Sequence, residues 1–241
     1  MIKKVLILFL FLSISYHAQD GQNVGWISKF GLAGGFNPIF VLPNVDPINQ
    51  MLPNFGVDEL STSGMMAYGG SGYIYILLID NVRLGGMGLG LTQTRDGIVN
   101  GINRQVDYSM GFGGFTVEYT LPFIKTPAVS IGAIIGAGSL EIDIYQNKNS
   151  GNWDDAWNNF EGDADTKMLS MHNSFFTFTP TLNIDYPVTR YLAFRIGAGY
   201  ILTFAGDWKL NNDLEFSGVP SDLKADSFFI QTGIYLGFFA F

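Results

Sequence analysis

Residues 191–205 read YLAFRIGAGYILTFA. The even positions are Leu192, Phe194, Ile196, Ala198, Tyr200, Leu202 and Phe204; the odd positions after Tyr191 are Ala193, Arg195, Gly197, Gly199, Ile201, Thr203 and Ala205. Successive side chains of a strand point to opposite faces, so this segment has one apolar face and one small or polar face, and no helix would sort the same residues that way. Residues 173–186 repeat the pattern, with Phe176, Phe178, Pro180, Leu182, Ile184 and Tyr186 set against Asn173, Phe175, Thr177, Thr179, Thr181, Asn183 and Asp185.

Working outward from these two, the alternation predicts eight strands, at about 26–40, 62–79, 82–95, 104–121, 128–145, 168–186, 190–207 and 226–241. Short connections at 80–81, 122–127 and 187–189 oppose long ones at 41–61, 146–167 and 208–225, with 96–103 intermediate. Short turns on one side and long loops on the other predict an all-β, transmembrane, up-and-down antiparallel β-barrel of eight strands, its long loops extracellular and its short turns periplasmic. An even strand number returns both termini to the periplasm.

Composition agrees. Only 14% of the 241 residues are charged, against about 25% in an ordinary soluble domain. The one long apolar run is the N-terminal segment, so no later helix is long enough to span a bilayer. In MIKKVLILFLFLSISYHAQD, Lys3 and Lys4 precede an apolar run from Val5 to about Ser15, and the small residue Ala18 precedes Gln19. That is the layout of a secretory signal peptide, residues 1–18, cleaved to leave a barrel domain of residues 19–241. The chain has no cysteine, which excludes disulfides, a lipidated cysteine and a thiolate metal site. Loss of Lys3 and Lys4 takes the formal charge from −8 to −10, and phosphate binding needs a basic surface, so nucleic acid is not an expected partner.

A soluble barrel would show the same alternation with its faces reversed. What favours the membrane is the other face: Gly86, Gly88, Gly90, Gly197 and Gly199 suit the crowded interior of a narrow eight-stranded barrel. Aromatic residues also gather at the strand ends, with Trp26, Tyr119, Phe123, Tyr186 and Tyr191 near the short turns and Trp208 near a long loop, as in interfacial girdles.

The chain stops at DSFFIQTGIYLGFFAF, residues 226–241. Together with the signal peptide and the eight alternating segments, this tail resembles the small eight-stranded outer-membrane β-barrel family of the OmpA transmembrane-domain, OmpX and OmpW type. The resemblance covers essentially the whole mature chain. It implies the outer membrane of a Gram-negative-type bacterium, outer-membrane lipids as surroundings, and a closing strand read by the barrel-assembly machinery, with Tyr235, Phe239 and Phe241 matching the alternate positions of that signal. One departure stands out: Phe228, Ile230, Ile234, Leu236 and Phe238 form the more apolar face, of opposite parity to Phe241, so a bulge shifts the register or Phe241 points in an unusual direction.

Four charged residues fall on the inward parity near the short-turn ends: Lys29, Glu118, Arg195 and, one layer lower, Asp185. At similar depth they are expected to pair and plug the lower lumen, or else to be solvated separately near the rim. Tyr73, Tyr75 and Tyr235 are inward groups large enough to fill space opposite glycines.

The loops hold the remaining chemistry. Trp153, Trp157 and Phe160 follow Asn152 at helical spacing and could form an aromatic patch against lipid or an extracellular partner, or pack among the loops. The acids Asp154, Asp155, Glu161, Asp163 and Asp165 lack calcium-loop spacing, and no metal or cofactor is expected. In VDPINQMLPNF, Asp46 as a cap, Pro47 at the first helical position, and Ile48, Met51 and Leu52 on one face predict a short helix over the barrel mouth, broken by Pro53. His172 and Ser174 share the lipid-facing parity, loosely similar to the His-x-Ser of outer-membrane lipid A deacylases, with Glu141 or Asp165 as an orienting acid. No flanking residue supports that enzyme reading, and the expectation is a monomeric, non-enzymatic structural or interaction barrel with a filled, non-porin lumen that acts through its loops. The alternative is a barrel that binds or transports a small hydrophobic ligand through a glycine-lined upper lumen.

Overall fold

The computed structural model describes residues 30–76, 79–124, 127–147 and 167–240. Eight long strands form the barrel: β1 (Phe30–Pro43), β2 (Met65–Tyr75), β3 (Val82–Val99), β4 (Ile102–Thr120), β5 (Ala128–Asn147), β6 (Lys167–Pro187), β7 (Leu192–Ala205) and β10 (Ser227–Ala240). Two short strands, β8 (Lys209–Leu210) and β9 (Leu214–Glu215), make a small hairpin beside β6. Neighbours in sequence pair antiparallel from β1 to β7, then β7 pairs with β10 and β10 with β1, so the sheet closes on itself. Closure leaves no unpaired edge, which is what a strand-built wall requires where lipid offers no hydrogen bonds.

The outward positions confirm the inversion relative to a soluble barrel. Phe115 and Phe176 are 80% and 72% exposed, and Leu32, Ile135, Ile196, Phe204 and Leu236 join them on the outer surface. Tyr119, Phe123, Tyr186 and Tyr191 lie exposed at the short-turn end, where both ends of the described chain also lie. Trp208 departs from the girdle expectation, because its ring packs partly buried against the interior core. Trp26 lies outside the described residues.

Two prolines interrupt the ladders without shifting them. The β1–β10 register reads Phe36↔Ile234 and resumes at Ile39↔Gln231, and the β6–β7 register reads Phe178↔Leu202 and resumes at Thr181↔Gly199. Pro38 and Pro180 have no N–H to give, so each costs a rung but not the register. At Pro38 the loss is repaired, since the Asn37 side-chain amide donates to the Thr232 carbonyl at 3.4 Å. No bulge occurs in the described part of β10, and Phe239 pairs with Gly31 on the parity of Tyr235.

Segment 96–103, expected as a loop of intermediate length, is instead the tip of a hairpin. Asn100 and Gly101 make a two-residue turn with φ of 52° and 78°, the pairing that a tight hairpin demands. Strands β3 to β6 are therefore long, at 18, 19, 20 and 21 residues, whereas about 9–11 suffice to cross a bilayer. They rise as a half-wall beyond β1 and β2, with one side lined by Glu59 and Ser61 and the other by the β8–β9 hairpin.

The glycines divide differently from the expectation. Gly197 and Gly199 face the lumen, but Gly86, Gly88 and Gly90 face outward, because β3 turns Arg83, Met87, Leu89 and Leu91 inward. A side chain at Gly199 would run into the Phe229 ring at 2.6 Å, whereas one at Gly90 would meet nothing within 4 Å. Gly199→Val should thus cost about 1–3 kcal/mol, the usual range for overpacking a filled core, while Gly90→Val should be nearly neutral. Urea unfolding of the barrel in lipid vesicles measures both; equal losses would contradict the assigned faces.

Candidate functional site: the filled lumen and its lid

Near the short-turn end, β3, β4, β6 and β7 each send one charged side chain inward. Arg83 Nη2 lies 2.5 Å from Glu118 Oε2 and its Nη1 2.6 Å from Asp185 Oδ2. Arg195 Nε lies 2.6 Å from Asp185 Oδ1 and its Nη1 3.1 Å from Glu118 Oε1. Two guanidiniums and two carboxylates thus alternate in a ring of zero net charge, all buried. Further donors complete it: Asn183 Nδ2 donates to Glu118 Oε1 at 3.0 Å, Gln231 Nε2 to Asn183 Oδ1 at 2.7 Å, and Arg83 Nη2 to Ser130 Oγ at 2.5 Å. The tyrosines stack on the cations, with Arg83 4.5 Å from the Tyr73 ring centre and Arg195 4.7 Å from that of Tyr235. Such a network is tolerable in a dry interior because each charge faces its opposite and most hydrogen-bonding positions are filled.

The structure brings Glu118, Asp185 and Arg195 together. Lys29 lies outside the described residues, and the second cation within them is Arg83, which sequence reasoning missed. Placing the β3 glycines inside had put Arg83 outside; the better signal was the charge itself, since an arginine in a lipid-crossing strand belongs on the lumen face.

Tyr235, proposed from the family resemblance as part of an assembly signal, is buried in the lumen of the folded barrel. Its hydroxyl accepts from Asn37 Nδ2 at 3.1 Å and is bonded to Ser71 Oγ, which also donates to Asn37 Oδ1 at 2.8 Å. The side chains of Phe239 and Phe241 lie outside the described residues.

Above this layer the lumen becomes apolar. Ile39, Met87, Leu89, Met110, Phe112 and Phe229 belong to one continuous buried cluster. The upper lumen is therefore packed with side chains rather than lined by glycine. A cavity beside Arg195, Thr181 and Gln231 measures about 10 Å³, about the room for a single water.

The mouth is closed by residues 44–64. They form two single turns of helix, α1 (Asp46–Asn49) and α2 (Leu52–Phe55), in place of the one helix expected. Asp46 caps nothing; Asn44 Oδ1 accepts from its N–H at 3.2 Å. Pro53 does not end a helix but opens the second, where a missing N–H costs nothing. Ile48, Leu52 and Leu60 plug into the apolar cluster, while Met51, expected among them, is 62% exposed. From the last long loop, Leu223 and Ala225 join the same cluster.

On the outer wall, His172 Nε2 stands 3.4 Å from Asp213 Oδ1, and Lys209 Nζ donates to that oxygen at 3.2 Å. The Lys209 hydrogen bond first, and His172 after it, hold the Asp213 carboxyl below its ordinary range. Of the two acids expected to orient His172, Glu141 does stand directly opposite it across β5 and β6 but accepts from Ser170 Oγ at 3.3 Å, and Asp165 lies outside the described residues. Among the described residues no hydrogen bond joins His172 to Ser174, so a nucleophile and base are not assembled there. Trp153, Trp157 and Phe160, with the acids of the same loop, lie outside the described residues.

A closed eight-stranded barrel with an apolar outer belt and a polar, charge-paired lower lumen has the architecture of a transmembrane β-barrel. Its sequence matches no family model and no curated protein. Among solved structures it is similar to a major outer membrane protein of Thermus thermophilus (TM-score 0.49, 10% identity, 87% of this chain and 99% of that one). It is also similar to Ail, the attachment invasion locus protein of Yersinia pestis (0.44, 10%, 87% and 97%), and to CarO2 of Acinetobacter baumannii (0.39, 10%, 86% and 98%). Likeness at this level concerns architecture alone.

The charge ring makes a quantitative expectation. Glu118→Leu should cost about 3–5 kcal/mol, because it strands two buried guanidiniums with one carboxylate. Arg83→Met combined with Glu118→Leu restores neutrality and should recover a large part of that loss. Equilibrium unfolding of the two single variants and the double variant in vesicles closes the cycle; simple additivity would mean that the pair is not coupled.

Proposed function

We propose that this protein is a monomeric outer-membrane barrel whose lumen conducts nothing and whose work is done by the surface at its long-loop end. The observation that carries this reading is the continuity of the filling: a neutral charge ring below, an apolar core above it, and a lid of residues 44–64 over the mouth. Eight strands enclose a space that side chains can fill, whereas aqueous channels belong to barrels of roughly 16 strands. In this reading the short turns and both termini are periplasmic, as suits a chain threaded from that side, and the long loops meet the exterior. The partner there is an extracellular molecule or the outer-leaflet lipid, engaged by the loops rather than taken through the barrel.

Planar-bilayer recording tests the closed lumen. Only small, erratic currents are expected from the purified protein, and a large steady conductance would overturn the reading. The second expectation concerns assembly. If the resemblance of the tail to a machinery-read closing strand is functional, deleting Phe241 should reduce the folded fraction in cells more than it reduces refolding in detergent; equal losses would assign Phe241 to packing alone.

A further inference from the structure

The lid is tied to the barrel in an uneven way. Within itself it is well clasped: Asn49 Nδ2 donates to the Leu60 carbonyl at 3.0 Å, and Asn49 Oδ1 accepts from the Leu60 N–H at 2.8 Å. Both bonds stay inside the segment, so it can keep its shape when it moves. Its polar ties to the wall go chiefly to the β3–β4 hairpin. Arg104 Nη1 donates to the Phe55 carbonyl at 2.6 Å while its guanidinium covers the Phe55 ring at 4.8 Å. Arg95 Nε donates to the Glu59 carbonyl at 2.8 Å, and Gln93 Oε1 accepts from the Ser61 N–H at 2.8 Å. At the roots lie the exposed Asn44 amide, which reaches the Asp222 carbonyl at 3.3 Å, and Gly64. Gly64 has φ of 114°, a conformation that side-chain-bearing residues seldom adopt, and a Cβ there would overlap the Phe40 ring.

The closed arrangement is not fully satisfied. Arg104 Nε, on the residue that holds the lid, and the Tyr108 hydroxyl, further down the inner face of β4, are buried without a hydrogen-bond partner in the described structure, and Tyr108 is 0% exposed. Each forfeits a bond that water would supply. Opposing them is the apolar surface of Ile48, Leu52 and Leu60, which opening would return to water. Against these polar groups stand at least four buried apolar lid residues, Val45 among them, that lose by opening. The Arg104 tie therefore weighs heavily in which state is occupied.

We propose that residues 45–60 are a lid that opens as one body about its roots at Asn44 and Gly64, and that Arg104 is the latch holding it on the β3–β4 hairpin. Opening uncovers the apolar upper lumen without touching the charge ring, so this device goes beyond the non-conducting reading and does not depend on it. The ring stays shut beneath an open lid.

The natural absence of cysteine makes the test direct. Val106→Cys places one thiol under the lid, where Val106 is 1% exposed; Ile134→Cys places one deeper in the lumen, where Ile134 is also 1% exposed. Maleimide labelling of the folded barrel in vesicles is followed at each position with and without Arg104→Ala, folding being checked by the heat-dependent shift in gel mobility. Leu91→Cys, from the same buried cluster, is read in parallel in case the thiol at 106 perturbs the core. Loss of the latch should speed labelling at 106 and at 91 by about tenfold or more, the effect on an opening equilibrium of losing one charge-assisted hydrogen bond, and leave 134 unchanged. An unchanged rate at 106 and 91 would show that Arg104 is no latch. Equal acceleration at all three positions would show a loosened core instead of a lid.

Discussion

Eight strands closed into a ring enclose a lumen that side chains can fill but that cannot be left empty, and the rest of this structure follows from filling it. The backbone is satisfied by closure alone, rung by rung, and even the rung lost at Pro38 is made good by the Asn37 side chain. Filling the inside is a separate problem, because whatever enters must bring its own partners. The lower half answers with charges that cancel, the upper half mainly with hydrocarbon, which needs no partner. Glycine adjusts the fit between them: Gly35 lies under the Tyr235 ring and Gly199 under that of Phe229, each where a side chain would collide.

The two fillers have different consequences. The charge ring couples β3, β4, β6 and β7 through oriented bonds, so it fixes how these strands stand relative to one another. The apolar core is less directional, and it extends without a break from the barrel into residues 44–64 and 219–225. The loops at the mouth are consequently part of the hydrophobic core and not appendages to it. This is why the one helix expected over the barrel mouth turns out as two short turns, Asp46–Asn49 and Leu52–Phe55, that bury Ile48 and Leu52 in the core.

Strand number and the outward face could be read from alternation, since lipid imposes a strict rule: residues such as Phe194, Ile196 and Phe204 have nowhere else to point. The inward face obeys a looser rule, because a lumen accepts Met87 and Leu89 as readily as Asn183. On β3 both faces were therefore weakly polar or apolar, and the glycines, having no side chain, could not say which was which. Arg83 could have, since burying a cation against lipid is far costlier than burying it against Glu118. The Asn100–Gly101 pair is a hairpin signal in its own right, one that the length of the connection does not show. Proximity to a long loop does not fix where Trp208 points, and its ring serves the core.

The charges on the outer wall locate the edge of the hydrocarbon. Asp107 and Asp143 stand directly opposite each other across β4 and β5, and Glu141 faces His172 one rung below, all with side chains on the outer face. Like charges set opposite one another destabilise a sheet, and in lipid the arrangement would be untenable; in water it is screened, and Gln105 Nε2 relieves part of it by donating to both Asp107 oxygens at 3.0 Å. One or two rungs lower the outer face carries Gly111, Gly113 and Ala137, and below them Phe115 and Ile135. The bilayer surface must cross β4 and β5 between these groups. More than a third of the long strands β3 to β6 then stands in water, walled by its own pairing, with both sides covered, and no part of that height is needed to cross the membrane. The height that the membrane does not need is therefore set by the pairing of β3 to β6 with one another, and its outer face carries groups that suit water and not lipid.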